Sequence, residues 1–355
     1  MATARLGVIG LGTFGINHLR TFRQLAYDGV AELVAGCDLD QQLLEERTAE
    51  FRFTPYTDFR QMLEREPLDA VTVVTPDAYH RDIVLACCSA GKHVLCEKPL
   101  DVTPDGCQRM IDAAAAANRL LQVDFHKRFD EFHLEVRARI AAGDLGPIQY
   151  GYCHMEDRIE VPRDWFPSWA QASSPAWFLG IHFYDLVRFL IAADGRRVWA
   201  VGHQGKLTGL GVDTFDSIQA MVEFSNGAAV TFDTSWILPD GFEAIVNQGV
   251  RLVGERGMLE CDSQDRGTRS CCEGKGMATH NMSFLRRGED KQGREVWEGY
   301  GVRSIADFVY NVNRLLDGAA LDDLPPYPDG EDGLEATRIA YAAHRSIETG
   351  GIVEA

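Results

Sequence analysis

No stretch of about 18 uncharged apolar residues occurs in the 355-residue sequence, so no segment is expected to cross a membrane as a helix. Met1-Ala2-Thr3-Ala4-Arg5 leads straight into a strand-like run without the apolar core of a signal peptide, which predicts a cytoplasmic protein. Positive charge is in short supply: 35 Lys and Arg stand against 53 Asp and Glu, for a net charge of -18, and no basic run offsets this locally. That balance excludes nucleic acids and anionic membrane surfaces as expected partners. Nine cysteines occur, an odd number, with no C-x-x-C pair among them, so neither a disulfide framework nor a zinc or other metal centre is expected. Most lie in apolar runs and read as small buried hydrophobes; Cys271-Cys272, in a polar context, is the exposed and oxidisable exception. Internal repeats and low-complexity tracts are also missing.

What the sequence does carry is alternation. Arg5 to Ile9 is strand-like, Gly10-Leu11-Gly12-Thr13-Phe14-Gly15 follows, and a helical run extends from Ile16 to Leu25. This is G-x-G-x-x-G in a strand-turn-helix setting, where glycines let a pyrophosphate approach the backbone and the helix N-terminus offers N–H donors. A second apolar strand, Leu33 to Cys37, ends in Asp38, 23 residues after Gly15, placed to bind ribose hydroxyls and repel a 2′-phosphate. NAD is therefore the expected cofactor, preferred over NADP. Helical segments over 40–51 and 58–65 lead to the β-branched strand Ala70 to Val74 and the turn Thr75-Pro76-Asp77-Ala78-Tyr79-His80. After a helix ending near Ala90, the buried run His93 to Cys96 stops at Glu97-Lys98-Pro99. In an open α/β sheet ligands bind beyond the carboxyl ends of the strands, so a lysine there can point into a site. A helix from Pro104 to Ala117 and a strand over 120–123 complete a doubly wound sheet of about six strands.

Beyond residue 124 the pattern changes. A helix from Glu131 to Ala142 precedes a strand from Ile148 to Met155, and His154 and Glu156 share one face if that strand continues. Residues 157–175 read as a loop bearing Trp165, Phe166 and Trp169, whose rings suit the C–H faces of a sugar and equally suit the core or a subunit contact. Ala176 to Leu190 has helical spacing and sets His182 and Asp185 at i and i+3, where the carboxylate can orient the imidazole. Strand-like runs over 198–202, 217–224, 228–236 and 250–253, with a hairpin signal at Ser225-Asn226-Gly227, predict an antiparallel sheet. Residues 262–280 read as a polar surface loop, and helices are expected over 302–316 and 333–349.

Taken together, Gly10-Leu11-Gly12-Thr13-Phe14-Gly15, Asp38, Thr75-Pro76 with His80, Glu97-Lys98-Pro99, and His182 with Asp185 resemble the glucose-fructose oxidoreductase/inositol dehydrogenase (Gfo/Idh/MocA) family over nearly the whole chain. The resemblance implies an α/β protein: a Rossmann domain over 1–124 and, over 125–355, a substrate-binding domain with an open, mainly antiparallel sheet that forms homodimers or homotetramers, with C-terminal helices packing back on the first domain. It implies hydride exchange between NAD and a secondary alcohol or carbonyl of a sugar, sugar derivative or cyclitol. Lys98 and His182 are then the catalytic pair, supported by Glu97 and Asp185. Gly10, Gly12, Thr13, Phe14, Gly15, Asp38, Thr75, Pro76, His80, Glu97 and Lys98 would hold the cofactor; Lys98, His126, Lys127, His154, Glu156, Trp165, Phe178 and His182 would meet the substrate. Phe178 departs from the family, which often has an aspartate four residues before the histidine. The acidic partner is then either missing or supplied by Glu156 or Asp185, which puts inositol dehydrogenase in particular in doubt. A redox-assisted lyase or glycosidase, or a non-catalytic NAD-binding regulator, would carry the same cofactor signature.

Overall fold

The computed structural model of the chain describes residues 2–262, 267–272, 276–281 and 285–355. It divides into two compact units, one formed by residues 1–129 and 284–334, the other by 130–283 and 335–355.

The first unit alternates β1 (Ala4–Ile9), α1 (Gly15–Ala26), β2 (Ala31–Cys37), α2 (Gln41–Phe51), β3 (Thr54–Tyr56), α3 (Phe59–Arg65), β4 (Ala70–Val73), α4 (His80–Ser89), β5 (His93–Cys96), α5 (Pro104–Ala117) and β6 (Leu121–Val123). The strands form one parallel sheet in the order β3-β2-β1-β4-β5-β6, the doubly wound arrangement that the alternation predicts. Three of these helices start where a side chain can satisfy free N–H groups: Asp40 accepts from Leu43 before α2, Asp58 from Arg60 before α3, and Thr103 from Gly106 before α5. α1 and α4 have no side-chain cap.

Burial of the strands sets an acid limit on this unit. His93 in β5 is 8% exposed, and its Nδ1 accepts the Leu120 N–H at 3.0 Å, so the native ring is neutral. Burial first, then the Arg119 charge, lowers its pKa from 6.5 to about 4. Because the unfolded chain binds the proton more readily, this contribution is complete above pH 6.5 and is lost as pH falls toward about 4. It amounts to about 3 kcal/mol. In urea titrations at pH 7 and pH 4, His93→Gln is expected to lose less stability on acidification than the parent; equal losses would remove His93 from the acid limb.

The second unit contains α6 (Glu131–Ala141), β7 (Ile148–Arg158), the one-turn α7 (Pro167–Ala170), α8 (Ile181–Ile191), β8 (Gly195–His203), the one-turn α9 (Lys206–Gly209), β9 (Ser217–Phe224), β10 (Ala229–Leu238), β11 (Val246–Gly254) and β12 (Met258–Asp262). Its seven-stranded sheet runs β12-β11-β7-β10-β9-β8-β17, where β17 is the two-residue strand Val353–Glu354. All pairings are antiparallel except that of β7 with β10. One sheet face is buried: Cys153 and Met155 of β7 align with Phe232 and Thr234 of β10, and the Phe232 ring lies 4.9 Å from that of Tyr184 in α8. The other face is open, with Trp199, Met221, Thr231 and Tyr152 in register across β8, β9, β10 and β7.

The expected loop over 262–280 is in part a hairpin, β13 (Gly267–Cys272) and β14 (Gly276–Asn281), paired antiparallel from Gly267 with Asn281 to Cys272 with Gly276. The remainder of that loop, 263–266 and 273–275, lies outside the described residues. Cys271 and Cys272 are exposed, and the other seven cysteines are buried.

The chain then returns to the first unit through β15 (Arg286–Glu289), β16 (Glu295–Glu298) and α10 (Tyr300–Leu316). Ile305, Phe308, Val309 and Val312 of α10 join Leu6, Val8, Leu19 and Phe22 in one apolar core. Burying side chains of this size contributes about 1.5–3 kcal/mol each, which fixes α10 against the dinucleotide fold. α11 (Gly330–Thr349) follows. No helix among the described residues is long and apolar enough to cross a membrane.

Candidate active site

Parallel strands bring their carboxyl ends to one edge, so the segments after β1, β2, β4, β5 and β6 share the rim of the first sheet. After β1, Gly10 has φ +94°, and a Cβ there would stand 2.3 Å from the Val74 carbonyl oxygen. One at Gly15 would meet the Gly10 carbonyl oxygen at 2.1 Å. A Cβ at Gly12 would meet nothing within 4 Å, leaving open backbone beside the uncapped start of α1. Close packing at two glycines, an open approach at the third and free helix donors are what a pyrophosphate requires, so these residues fit a dinucleotide. Thr13 and Phe14, between the glycines, are exposed.

Asp38 follows β2. Its Oδ2 accepts the Leu11 N–H at 2.7 Å and its Oδ1 the Asp40 N–H at 3.0 Å, so the carboxylate also braces the glycine turn. Each oxygen keeps a lone pair for a ribose hydroxyl. After β4, Thr75 is half-buried and Pro76 exposed. His80 is wholly buried, and its ring nitrogens lie 2.8 Å from the Pro99 and Thr75 carbonyl oxygens. Its position ties the turn after β4 to the turn after β5, a bracing role that the sequence alone does not reveal.

After β5, Lys98 is 8% exposed, and its ammonium lies 5.9 Å from the centre of the Phe14 ring. The Lys98–Pro99 peptide is cis. Glu97 Oε2 accepts the Lys98 N–H at 3.2 Å. Burial works against ionisation of Glu97, but the hydrogen bond from His18 and the positive charges of Lys98, His18 and His126 outweigh it and hold the carboxyl at about 2. A buried ammonium therefore has an ionised carboxylate beside it. After β6, His126 and Lys127 begin a short 3-10 turn, with Lys127 buried.

In the second unit, His182 and Asp185 both lie buried on α8, three residues apart. The expected helix over 176–190 has a π-type first turn, Ala176–Gly180, which contains Phe178 and changes the angular relation between Phe178 and His182. The Phe178 ring packs 4.8 Å from Trp169, 5.9 Å from Trp236 and 6.5 Å from Phe166. Trp165 is exposed and touches this cluster edge-on through Phe166 at 6.4 Å. Trp236, on β10, is a member that the sequence reading missed; only its place in a buried strand could have signalled it.

His154 and Glu156 share a face of β7, as the period of two requires, but it is the open face. His154 stacks on Tyr152 at 5.7 Å, and Glu156 accepts from Asn247 at 2.8 Å. Their register partners on β10 are Asp233 and Ser235, whereas α8 packs on the face of Phe232. The expectation that Glu156 could replace the missing acid beside His182 is therefore corrected. The strand pleat gives that face to the buried Asp157 instead.

These features agree with the comparisons. Residues 4–125 match the oxidoreductase family with an NAD-binding Rossmann fold, and residues 133–260 match the GFO/IDH/MocA C-terminal domain. The chain is similar to an inositol 2-dehydrogenase/D-chiro-inositol 3-dehydrogenase of Shouchella clausii, 38% identical over 98% of this chain and 93% of that protein. It is also similar to a myo-inositol 2-dehydrogenase of Thermotoga maritima, 27% identical over 97% of this chain and 96% of that one. The fold matches that of scyllo-inositol dehydrogenase from Lactobacillus casei, solved with bound NAD(H) and scyllo-inositol, with a TM-score of 0.77 at 20% identity over 99% of each chain. By both of its domains, the chain belongs to the Gfo/Idh/MocA family of NAD-binding oxidoreductases.

Proposed function

We propose that the protein is an NAD-dependent dehydrogenase acting on a secondary alcohol of a cyclitol or sugar derivative, or on the matching carbonyl. The observation that carries this reading is the buried Lys98, held beside ionised Glu97 on the rim that also presents the glycine turn and Asp38. When bound, NAD supplies the hydride acceptor. Gly10, Gly12, Gly15 and the start of α1 hold its pyrophosphate, and Asp38 its adenosine ribose, favouring NAD over NADP. Lys98 hydrogen-bonds the reacting oxygen and stabilises the negative charge that develops there, while Glu97 fixes the ammonium. His182 takes the hydroxyl proton at an imidazole nitrogen, and returns it in the reductive direction. Names of relatives at 38% and 27% identity support a cyclitol. Phe178 and its aromatic neighbours favour one with an apolar edge, in place of the carboxylate partner that the family resemblance implies for many members.

The test is nicotinamide absorbance against a panel of inositols, their deoxy and O-methyl derivatives, and sugars, with product mass analysis. NADH formed in step with ketone is the expected result. Cleavage without net NADH would point to a lyase or glycosidase, and no turnover with any polyol to a regulator.

The open sheet face supports assembly into a homodimer or homotetramer, since Trp199 and Met221 are 47% and 50% exposed side by side on it. In sedimentation experiments, the double variant Trp199→Glu/Met221→Glu is expected to run as a monomer and the parent as an oligomer. A monomeric parent would sink this assignment.

A further inference from the structure

Glu97 is met by two buried residues that have no part in the chemistry above. His18, on the second turn of α1, is 1% exposed; Asp124, directly after β6, is 2% exposed. His18 Nε2 stands 3.5 Å from Glu97 Oε1 and 3.8 Å from Asp124 Oδ2. One donor atom from each residue lies within 4.8 Å of the others. Asp124 Oδ1 is buried without a hydrogen-bond partner among the described residues, and the Glu97 carboxyl and the Ser304 hydroxyl of α10 both act on its charge. The groups facing the pair are thus His18 from α1, Lys98 after β5, His126 after β6 and Ser304 from α10.

Two carboxyls this close in a dry setting do not both ionise. Glu97 has the stronger claim to the charge: its side chain is 13% exposed against 3% for Asp124, and the Lys98 backbone donates to it. We propose that Asp124 is a neutral carboxylic acid that donates its proton to ionised Glu97, and that with His18 it forms a positioning unit that keeps Glu97 in place beside Lys98. Burial foremost, then the Glu97 charge, raises the pKa of Asp124 well above the usual carboxylate range, in agreement with this assignment. The role in catalysis rests on the proposed dehydrogenase activity; the protonation state does not.

The test therefore has two independent parts. Infrared spectra of the protein at about pH 8, where an ordinary carboxyl is ionised, are expected to contain a protonated-carboxyl carbonyl band that Asp124→Asn removes. Absence of the band in the parent, its persistence in Asp124→Asn, or its appearance only after treatment with a chelator would each overturn the proposal. In turnover assays Asp124→Asn, which retains a donor, is expected to lose severalfold in kcat. Asp124→Leu, of similar size but with no donor, is expected to lose roughly 10–100-fold, the range for a hydrogen bond to a charged group, with KM for NAD unchanged. Equal kcat values for the two would overturn the positioning role. If Asp124→Leu does not fold, the parent and Asp124→Asn spectra still decide the protonation state. If no polyol is turned over, the function falls and the spectra still stand.

Discussion

Alanine at Lys98 is expected to leave a protein that binds NAD with near-parental affinity but turns over roughly 100–1,000-fold more slowly. The ammonium acts on charge that appears at the substrate oxygen during reaction, so its loss falls on kcat more than on binding. His182→Ala is expected to cost roughly 100–10,000-fold for the same kind of reason, since a positioned proton acceptor works only as the proton moves. On the proposed mechanism the two losses should not multiply in the double variant. Steady-state kinetics with NAD binding followed by fluorescence quenching provides the check. Near-parental turnover in both single variants would eliminate the proposed pair. A loss of NAD binding in Lys98→Ala equal to the loss of turnover would instead make that lysine a cofactor ligand.

Asp38→Ala is expected to raise KM for NAD by roughly 10–100-fold and to abolish most of the discrimination against NADP. Two effects combine here. The ribose hydroxyls lose the acceptor proposed for them, and the Leu11 and Asp40 N–H groups lose theirs, so the glycine turn loosens at the same time. Asp38→Asn separates the two: its amide oxygen can brace Leu11, but the charge that repels a 2′-phosphate is gone. Gain of NADP use with little loss of NAD affinity is the expected behaviour of that variant. A parent that already uses NADP as well as NAD would remove Asp38 from selectivity.

The doubly wound sheet was readable because its signals are local. A strand, a glycine turn and a helix follow one another within residues 4–26, and buried parallel strands such as Ala70–Val73 are unbroken apolar or β-branched runs. His182 with Asp185 was equally legible, as one helix period. What escaped reading depends on partners distant in sequence. His18 looks like one polar residue in an amphipathic helix until β5 and β6 bring Glu97 and Asp124 to it. For His154 and Glu156, the period of two correctly gave a shared face but not which face is covered, because that is decided by Phe232 meeting Tyr184 on α8. The π-type turn at Ala176–Gly180 has the same apolar spacing as an α-helix over so short a span.

The parallel pairing of β7 with β10 has a consequence for biosynthesis. Residues 159–228, including the whole of α8, lie between the two strands that form the centre of the second sheet. On a ribosome, the helix bearing His182 emerges well before Phe232 and Trp236, against which its flank packs. Until β10 arrives, Tyr184 on the apolar side of α8 lacks the Phe232 ring that covers it in the folded protein. Pairing across so long an intervening segment is also slow, because the loop must close before the contact is rewarded. The nascent chain is therefore most exposed to aggregation and chaperone capture while the helix of the proposed proton acceptor waits for its sheet.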